Sequence, residues 1–122
     1  MDALSASGLR SIRFVKEIDK ELLNKVYAND LSTASITLIK ENIQANQIND
    51  IQITHKDANL LLFESSLNQA DIPKFDVIDL DPYGSIGPFL DGAIHACNNL
   101  DARETLLCIT CTDSRVLCGP DQ

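Results

Sequence analysis

The residues best suited to catalysis or binding lie in FDVIDLDPYGS, residues 75–85. In this segment, carboxylates lie along an apolar strand that ends on Pro-Tyr-Gly. The Asp81 carboxylate can accept a hydrogen bond from an exocyclic amine and hold the nitrogen lone pair toward an electrophile. The carbonyl of Pro82 can accept the second amine hydrogen. The Tyr83 ring can stack on a base, which contributes about 1–3 kcal/mol per base. This combination indicates methylation of an amine on a nucleobase.

Asp79 precedes this group by two residues and therefore points to the same side of the strand as Asp81. We expect Asp79 to bind a cofactor or to orient the site. A strand end with ordinary solvated acids is the alternative, but buried carboxylates are costly without a partner, and this favours a functional interpretation.

Acidic residues also follow the other predicted strands. Asp30 ends the second strand, Asp57 follows the third, and Asp113 follows the fifth. In a doubly wound sheet the carboxyl ends of parallel strands share one rim, where ligands bind. Carboxylates at that rim are poorly suited to a phosphate and suit a ligand with hydroxyls, amines and a positive centre.

The loop DALSASG, which begins at Asp2, resembles a glycine-rich cofactor loop in which Leu4 and Ala6 replace two glycines and Gly8 remains. Asp30 follows Gly8 by 22 residues, a spacing at which an acid can accept both hydroxyls of a ribose. A pyrophosphate needs close backbone approach at the replaced glycines, which side chains hinder. S-adenosylmethionine carries no phosphate, so the loop fits it better than a nicotinamide or flavin dinucleotide.

The segments that must position these residues alternate between helical and strand patterns. This order predicts a doubly wound α/β fold with a mostly parallel sheet and helices on both faces. We expect the chain to be truncated at the first strand, of which only residues 1–4 remain, and again after the fifth. The predicted helices are Leu9–Ile18, Ser32–Asn46, Asn59–Leu67 and Gly87–Leu100, and the predicted strands are Lys25–Asn29, Ile51–Thr54, Phe75–Leu80 and Thr105–Thr112.

Three more detailed expectations follow from the same patterns. Ser32 is predicted to cap the second helix, and the last strand, which is strongly apolar, is predicted to be buried. Apolar residues at helical spacing predict the buried faces of the first two helices, namely Leu9, Ile12, Val15 and Ile18 in one and Ile36, Ile39 and Ile43 in the other.

Length and composition limit the possibilities further. With 122 residues, of which 44% are hydrophobic, the chain is one domain with a real core. Ten basic and eighteen acidic residues give a net charge of −8, which argues against this chain alone gripping a nucleic-acid backbone. The sequence shows no signal peptide or membrane-spanning run. We therefore expect an intracellular protein with no membrane partner.

The four cysteines have two interpretations. Buried, reduced thiols are typical of an intracellular protein, and this is the one we favour. A metal site is the alternative, but the spacing of Cys108 and Cys111 points their side chains to opposite faces of a strand. No second close pair of Cys or His completes a tetrahedral set, so we predict no metal. The cysteines are Cys97, Cys108, Cys111 and Cys118.

With these residues assembled, the chain resembles the tRNA (guanine-26-N2)-dimethyltransferase family. The matching stretches are DALSASGLRSIRF, AND, DA at residues 57–58, FDVIDLDPYGS and LLCITCTD, in the right order over nearly the whole chain. The resemblance implies a class I methyltransferase fold with S-adenosylmethionine as methyl donor. It also implies transfer of one or two methyl groups to N2 of a guanine in tRNA.

The resemblance also implies roles for individual residues. Asp81 would be the catalytic carboxylate, and Tyr83 would stack on the flipped base. Asp30 would bind the cofactor ribose, and Asp57 with Ala58 the adenine edge. The loop from Asp2 to Gly8 would cover the methionine end. Arg10 would contact either the cofactor carboxylate or the RNA.

Residues 1–122 are thus expected to be part of a methyltransferase catalytic domain. The family's additional C-terminal domain, expected to help bind tRNA, would lie outside this chain, and we expect the chain alone to be inactive. Two alternatives stay open. One is an amino-methyltransferase that acts on another nucleobase, and the other is a non-catalytic nucleotide-binding domain.

Overall fold

A computed structural model describes residues 1–67, 72–97, 104–112 and 119. The helices and strands occur in the predicted order, with bounds that differ from the predicted ones by a few residues. Asp113, Cys118 and residues 98–100, which the sequence analysis assigned, lie outside the described residues. The elements are α1 Leu9–Glu17, β1 Val26–Asn29, α2 Thr33–Ala45, β2 Ile51–Thr54, α3 Ala58–Ser66, β3 Val77–Leu80, α4 Gly87–Cys97 and β4 Leu106–Ile109.

The strands form two parallel pairs that the first residues of the chain join into one sheet. β1 pairs with β2, and β3 pairs with β4. Asp2 bridges Ala28 of β1 and Asp79 of β3, which gives the order β2, β1, residues 1–3, β3, β4. The Asp2 N–H donates to the Tyr27 carbonyl at 2.8 Å, and the Asp79 N–H donates to the Met1 carbonyl at 2.8 Å. Residues 1–3 therefore lie at the centre of the sheet.

Helices cover both faces of the sheet, as a parallel sheet requires. Ala28 packs with α2 on one face, whereas its neighbour Tyr27 packs against the cluster on the other, because side chains alternate along a strand. α1 contacts β1 and α2. α3 and α4 pack together over β3, where Ile78 and Leu80 point into the larger apolar cluster. Asp79, between them, points to the opposite face.

The first two helices confirm some of the predicted caps and buried faces and correct others. The Ser32 hydroxyl caps α2 by accepting from the Ser35 N–H at 3.4 Å, and Ile36 and Ile39 are buried as predicted. The predicted buried face of α1 is wrong at its two ends, because Leu9 is 59% exposed and Ile18 is 40% exposed. Ile18 follows the last helical residue and has extended backbone, so the helical spacing no longer directs its side chain.

The last strand is less buried than its apolar sequence predicted. Leu106 is 61% and Ile109 46% exposed, because within the described residues β4 pairs with β3 alone and lies at the edge of the sheet. The prediction of buried thiols is wrong for Cys108, which lies on this strand and is exposed. Cys97 and Cys111 are half-buried, and all three thiols are free.

The described residues contain neither a membrane-spanning helix nor a cluster of metal ligands. No helix there is long and apolar enough to cross a membrane. No group of three or more His, Cys, Asp or Glu side chains in the same residues could hold a metal ion.

Candidate functional site

A cleft of about 540 Å³ opens at the carboxyl ends of β1 and β3, beside the loop that leads into α1. This volume is in the range of small-molecule and cofactor sites. The position is the one at which doubly wound sheets bind ligands. Residues that line it include Asp2, Leu4, Ala6, Arg10, Asp30, Asp81, Pro82 and Tyr83, so most of the predicted site residues are brought together.

A second cleft, of about 470 Å³, lies between Met1, Val26 and Phe75 at the amino ends of the strands. It is more apolar than the first, but it opens at the amino ends of the strands, opposite to the acidic rim. Because ligands of doubly wound sheets bind beyond the carboxyl ends, we assign the functional site to the first cleft.

The loop between the central residues and α1 keeps a glycine-like backbone at two positions. Ala6 has a φ of 48° and Gly8 a φ of 74°, both in the left-handed region that favours glycine. A Cβ added at Gly8 would also lie 3.2 Å from Cγ1 of Ile39, so a side chain there would crowd Ile39 as well as strain the backbone. The Asn42 side chain donates to the Ser7 carbonyl at 2.8 Å and ties the loop to α2.

Asp30 joins this loop to the start of α2. One carboxylate oxygen accepts from the Ala6 N–H at 2.9 Å, and the other accepts from the Ser32 N–H at 2.8 Å. Each oxygen keeps a lone pair for a further donor. Asp30 is therefore held in place at the cleft and can still accept hydrogen bonds from a pair of hydroxyls.

Asp2 is a buried carboxylate under the same loop. Its side chain accepts from the Ser11 hydroxyl at 2.7 Å, and the residue is 3% exposed. Burial raises the pKa of Asp2 above its ordinary value, and the hydrogen bonds from Ser11 and Ser5 oppose this only in part. The negative charge of Asp79 also acts to raise this pKa. The charged form of Asp2 therefore weakens the folded state.

Asp2→Asn is expected to raise the urea midpoint of unfolding of the chain at neutral pH. A raised pKa means that the folded state holds the proton more tightly, so stability falls as pH rises from 3.8 through the folded pKa. The amide removes that loss and can still accept from Ser11. Urea unfolding from pH 4 to 7 should show a difference between variant and parent that grows with pH. Asp50→Asn, at an exposed aspartate, is the control, and an equal gain there would contradict this account.

A three-residue ion cluster, which sequence reasoning did not predict, joins the cleft to β3: Arg10 and Asp81 line the cleft, and Asp79 does not. Nη1 of Arg10 lies 3.1 Å from both carboxylate oxygens of Asp79, and Nη2 donates to Oδ2 of Asp81. Burial works to lower the pKa of Arg10, but its hydrogen bonds and charge interactions with Asp81 and Asp79 prevail and raise it. The acids of FDVIDLDPYGS are evident in the sequence. Their pairing with Arg10, which lies 69 and 71 residues before them, is not.

Tyr83 stands at the mouth of the cleft with its side chain fully exposed. The turn that carries it contains Gly84, whose φ is 90°. The Cys111 thiol donates to the Gly84 carbonyl at 3.7 Å and holds this turn against the residues that follow β4. An uncovered aromatic ring beside a carboxylate can receive a flat, hydrogen-bonding group such as a base.

Asp57 and Ala58, predicted to hold an adenine edge, are not among the residues that line this cleft. Oδ1 of Asp57 caps α3 by accepting from the Asn59 and Leu60 N–H groups at 2.8 and 3.2 Å. Ala58 is buried at the helix start. The helix cap explains why an acid suits this position, and the adenine contact stays a prediction.

Asn29 is a residue near the site that sequence reasoning missed. Its fully buried carboxamide donates to the carbonyls of Ala3 and Lys56 at 3.0 Å each. Its oxygen accepts from the Thr54 hydroxyl at 2.9 Å and the Lys56 N–H at 3.2 Å. One side chain thus ties together the three backbone segments that carry the Asp2 loop, Asp30 and Asp57. A buried amide directly before the acid in AND was the available signal.

Comparison with solved structures identifies a protein with a similar fold. Wild-type Trm5b from Pyrococcus abyssi has a crystal structure similar to this one, with a TM-score of 0.59 at 24% identity over 78% of this chain and 24% of that chain. This likeness confirms the predicted Rossmann-like α/β fold.

Three curated relatives match nearly the whole chain, and each is named tRNA (guanine(26)-N(2))-dimethyltransferase. The Schizosaccharomyces pombe protein is 44% identical over 120 residues, which is 98% of this chain and 20% of the relative. The human protein is 45% identical over 120 residues, 98% of this chain and 17% of the relative. The Methanococcus maripaludis protein is 39% identical over 118 residues, 97% of this chain and 29% of the relative.

The chain therefore spans less than a third of each of these relatives. The family model described as "TRM: N2,N2-dimethylguanosine tRNA methyltransferase" matches residues 1–122. On the basis of this full-length match, the chain belongs to the N2,N2-dimethylguanosine tRNA methyltransferase family.

Proposed function

We propose that residues 1–122 form part of the catalytic domain of an S-adenosylmethionine-dependent enzyme that methylates N2 of guanine 26 in tRNA, giving N2-methylguanosine and N2,N2-dimethylguanosine. The observation that carries this proposal is the position of Asp81, Pro82 and Tyr83, which line one cleft with Asp30 and the loop before α1. These side chains would supply an amine acceptor, a platform for the base and a ribose acceptor around one cleft. The names of the relatives support the choice of tRNA and of the guanine amine.

The residues around the cleft fit S-adenosylmethionine. Asp30 has free lone pairs for the ribose hydroxyls, and the loop that begins at Asp2 carries side chains at Leu4 and Ala6 where a pyrophosphate would need glycine. Arg10 can attract the carboxylate of the methionine part. When bound, the cofactor supplies a methyl group on a positively charged sulfur, and acidic walls suit that charge.

The chain's own residues would prepare the amine of the base. Asp81 accepts a hydrogen bond from the amine and takes up the proton that the nitrogen loses on methylation. The Pro82 carbonyl accepts the second amine hydrogen and so fixes the amine plane. Tyr83, which is fully exposed, stacks on a guanine that has left the RNA stack.

The charge of the chain bears on how tRNA would be held. A net charge of −8 repels a phosphate backbone. The chain spans 20% of the S. pombe relative. We therefore propose that the basic surface that grips tRNA belongs to other parts of the protein, and that this chain contributes the base and cofactor sites.

Labelled-methyl transfer tests the proposal. The full gene product, meaning this chain with any residues that flank it in its gene, is incubated with labelled S-adenosylmethionine and unmodified tRNA, and the nucleosides are separated after digestion. We expect label in N2-methylguanosine and N2,N2-dimethylguanosine, and its loss from a tRNA in which guanine 26 is replaced by adenine. Label in a methylated adenine instead would contradict the proposal and identify an amino-methyltransferase for another base.

A competition experiment tests the non-catalytic alternative on the 122-residue chain itself. We expect S-adenosylmethionine to bind and NAD at equal concentration not to displace it, since Leu4 and Ala6 obstruct a pyrophosphate. Displacement by NAD, together with the absence of methyl transfer by the full gene product, would favour a nucleotide-binding domain.

A further inference from the structure

We propose that Arg10 is a positioning residue for Asp81, and that it fixes the catalytic carboxylate by clamping it to the buried Asp79. This inference rests on the catalytic role proposed for Asp81. It gives Arg10 a task in addition to the cofactor contact described above.

Asp79 provides a fixed anchor for the clamp. It lies within β3, where its N–H donates to the Met1 carbonyl at 2.8 Å and its carbonyl accepts from the Ala3 N–H at 3.0 Å. Its side chain is only 10% exposed. Both of its carboxylate oxygens lie 3.1 Å from Nη1 of Arg10, so the guanidinium is anchored to β3.

Asp81 lacks such an anchor of its own. β3 ends at Leu80, so Asp81 follows the strand at the mouth of the cleft, where its side chain is 32% exposed. Nη2 of Arg10 donates to its Oδ2. Oδ1 accepts no hydrogen bond from the part of the chain that the structure describes, so one oxygen is fixed while the other stays available for an amine.

The clamp depends on the shape of a guanidinium as well as on its charge. Its planar fork presents separate N–H groups to two carboxylates at once, whereas a lysine ammonium is a single point of charge. The positive charge also offsets the repulsion between Asp79 and Asp81, which would otherwise turn the exposed carboxylate toward water. Lysine at position 10 would keep the charge and lose the geometry.

The test compares Arg10→Gln and Arg10→Lys in the full gene product. A displaced catalytic group can reduce the rate about 10²-fold, so we expect kcat to fall about 10²-fold in both variants at saturating cofactor and tRNA. The KM for tRNA should stay within about threefold of the parent, and the loss of kcat should persist at S-adenosylmethionine concentrations far above the Kd of each variant. Thermal unfolding checks that each variant is folded, and the lysine variant keeps the charge if the glutamine variant is unstable.

Arg13→Gln is the matched control on the same helix. Arg13 pairs with Glu17 at the surface, 70% exposed, and does not line the cleft. Its kcat should equal that of the parent. A tenfold loss in this variant would mean that any change to α1 slows the reaction, and it would overturn the specific role of Arg10.

The remaining outcomes also decide the question. If the rate of the Arg10 variants recovers fully at saturating cofactor, Arg10 acts only as a cofactor ligand. If it recovers fully at saturating tRNA, Arg10 acts only as an RNA contact. Either result rejects the positioning role.

Asp81→Ala separates this inference from the proposed function. If that variant is inactive while Arg10→Gln is fully active at saturation, the positioning inference alone fails; if Asp81→Ala is active, the catalytic assignment fails as well.

Discussion

Asp81→Ala is expected to lower kcat for methyl transfer by about 10²–10⁴-fold, the range by which a positioned acid–base group accelerates a reaction. The carboxylate lines the cleft beside Pro82 and Tyr83, and alanine would leave the amine without its proposed acceptor. Arg10 would then bind Asp79 alone. The change is measured as initial rates of labelled-methyl transfer by the full gene product at saturating S-adenosylmethionine and tRNA.

Asp76→Ala is the control for this prediction, because Asp76 precedes the same strand, is exposed, and lies at the opposite end of β3 from the cleft. Its kcat should match that of the parent. The Kd for S-adenosylmethionine should change little in Asp81→Ala, since Asp30, the proposed ribose acceptor, is untouched. A variant at position 81 that retained most of its kcat would place the amine acceptor elsewhere in the cleft.

The sequence predicted the order of the elements and the location of the site, because both follow from local patterns. Apolar spacing distinguishes helix from strand, and parallel strands must be covered on both faces. Once the strands are parallel, their carboxyl ends meet at one rim. Asp30 and Asp81 were therefore expected at one cleft from their positions after β1 and β3, and the structure places them there.

The details that the sequence did not predict depend on contacts between distant residues. Arg10 follows the loop and faces three acids, Asp2, Asp79 and Asp81, but only the packing of α1 against the sheet decides which of them it binds. The exposure of Leu106 has the same origin. An apolar sequence predicts a buried strand, yet the exposure of the strand depends on whether another element covers it.

Asn29 shows how a residue with no predicted role can matter most for the integrity of the site. Its side chain, which is fully buried, joins Ala3, Thr54 and Lys56 through four hydrogen bonds of 2.9–3.2 Å. A buried amide that satisfies two carbonyl acceptors cannot be replaced by an acid, because the acid presents an acceptor where a donor is needed.

Asn29→Asp is therefore expected to destabilise the chain by about 3–5 kcal/mol at neutral pH, the cost of an uncompensated buried charge. Urea unfolding followed by circular dichroism measures this, with Asn24→Asp at an exposed asparagine as the control that should stay near the parent. Lowering the pH should reduce the loss, because a protonated carboxyl group regains one donor for the carbonyl of Ala3 or Lys56. A variant at position 29 as stable as the parent at neutral pH would show that these strand ends hold together without the amide.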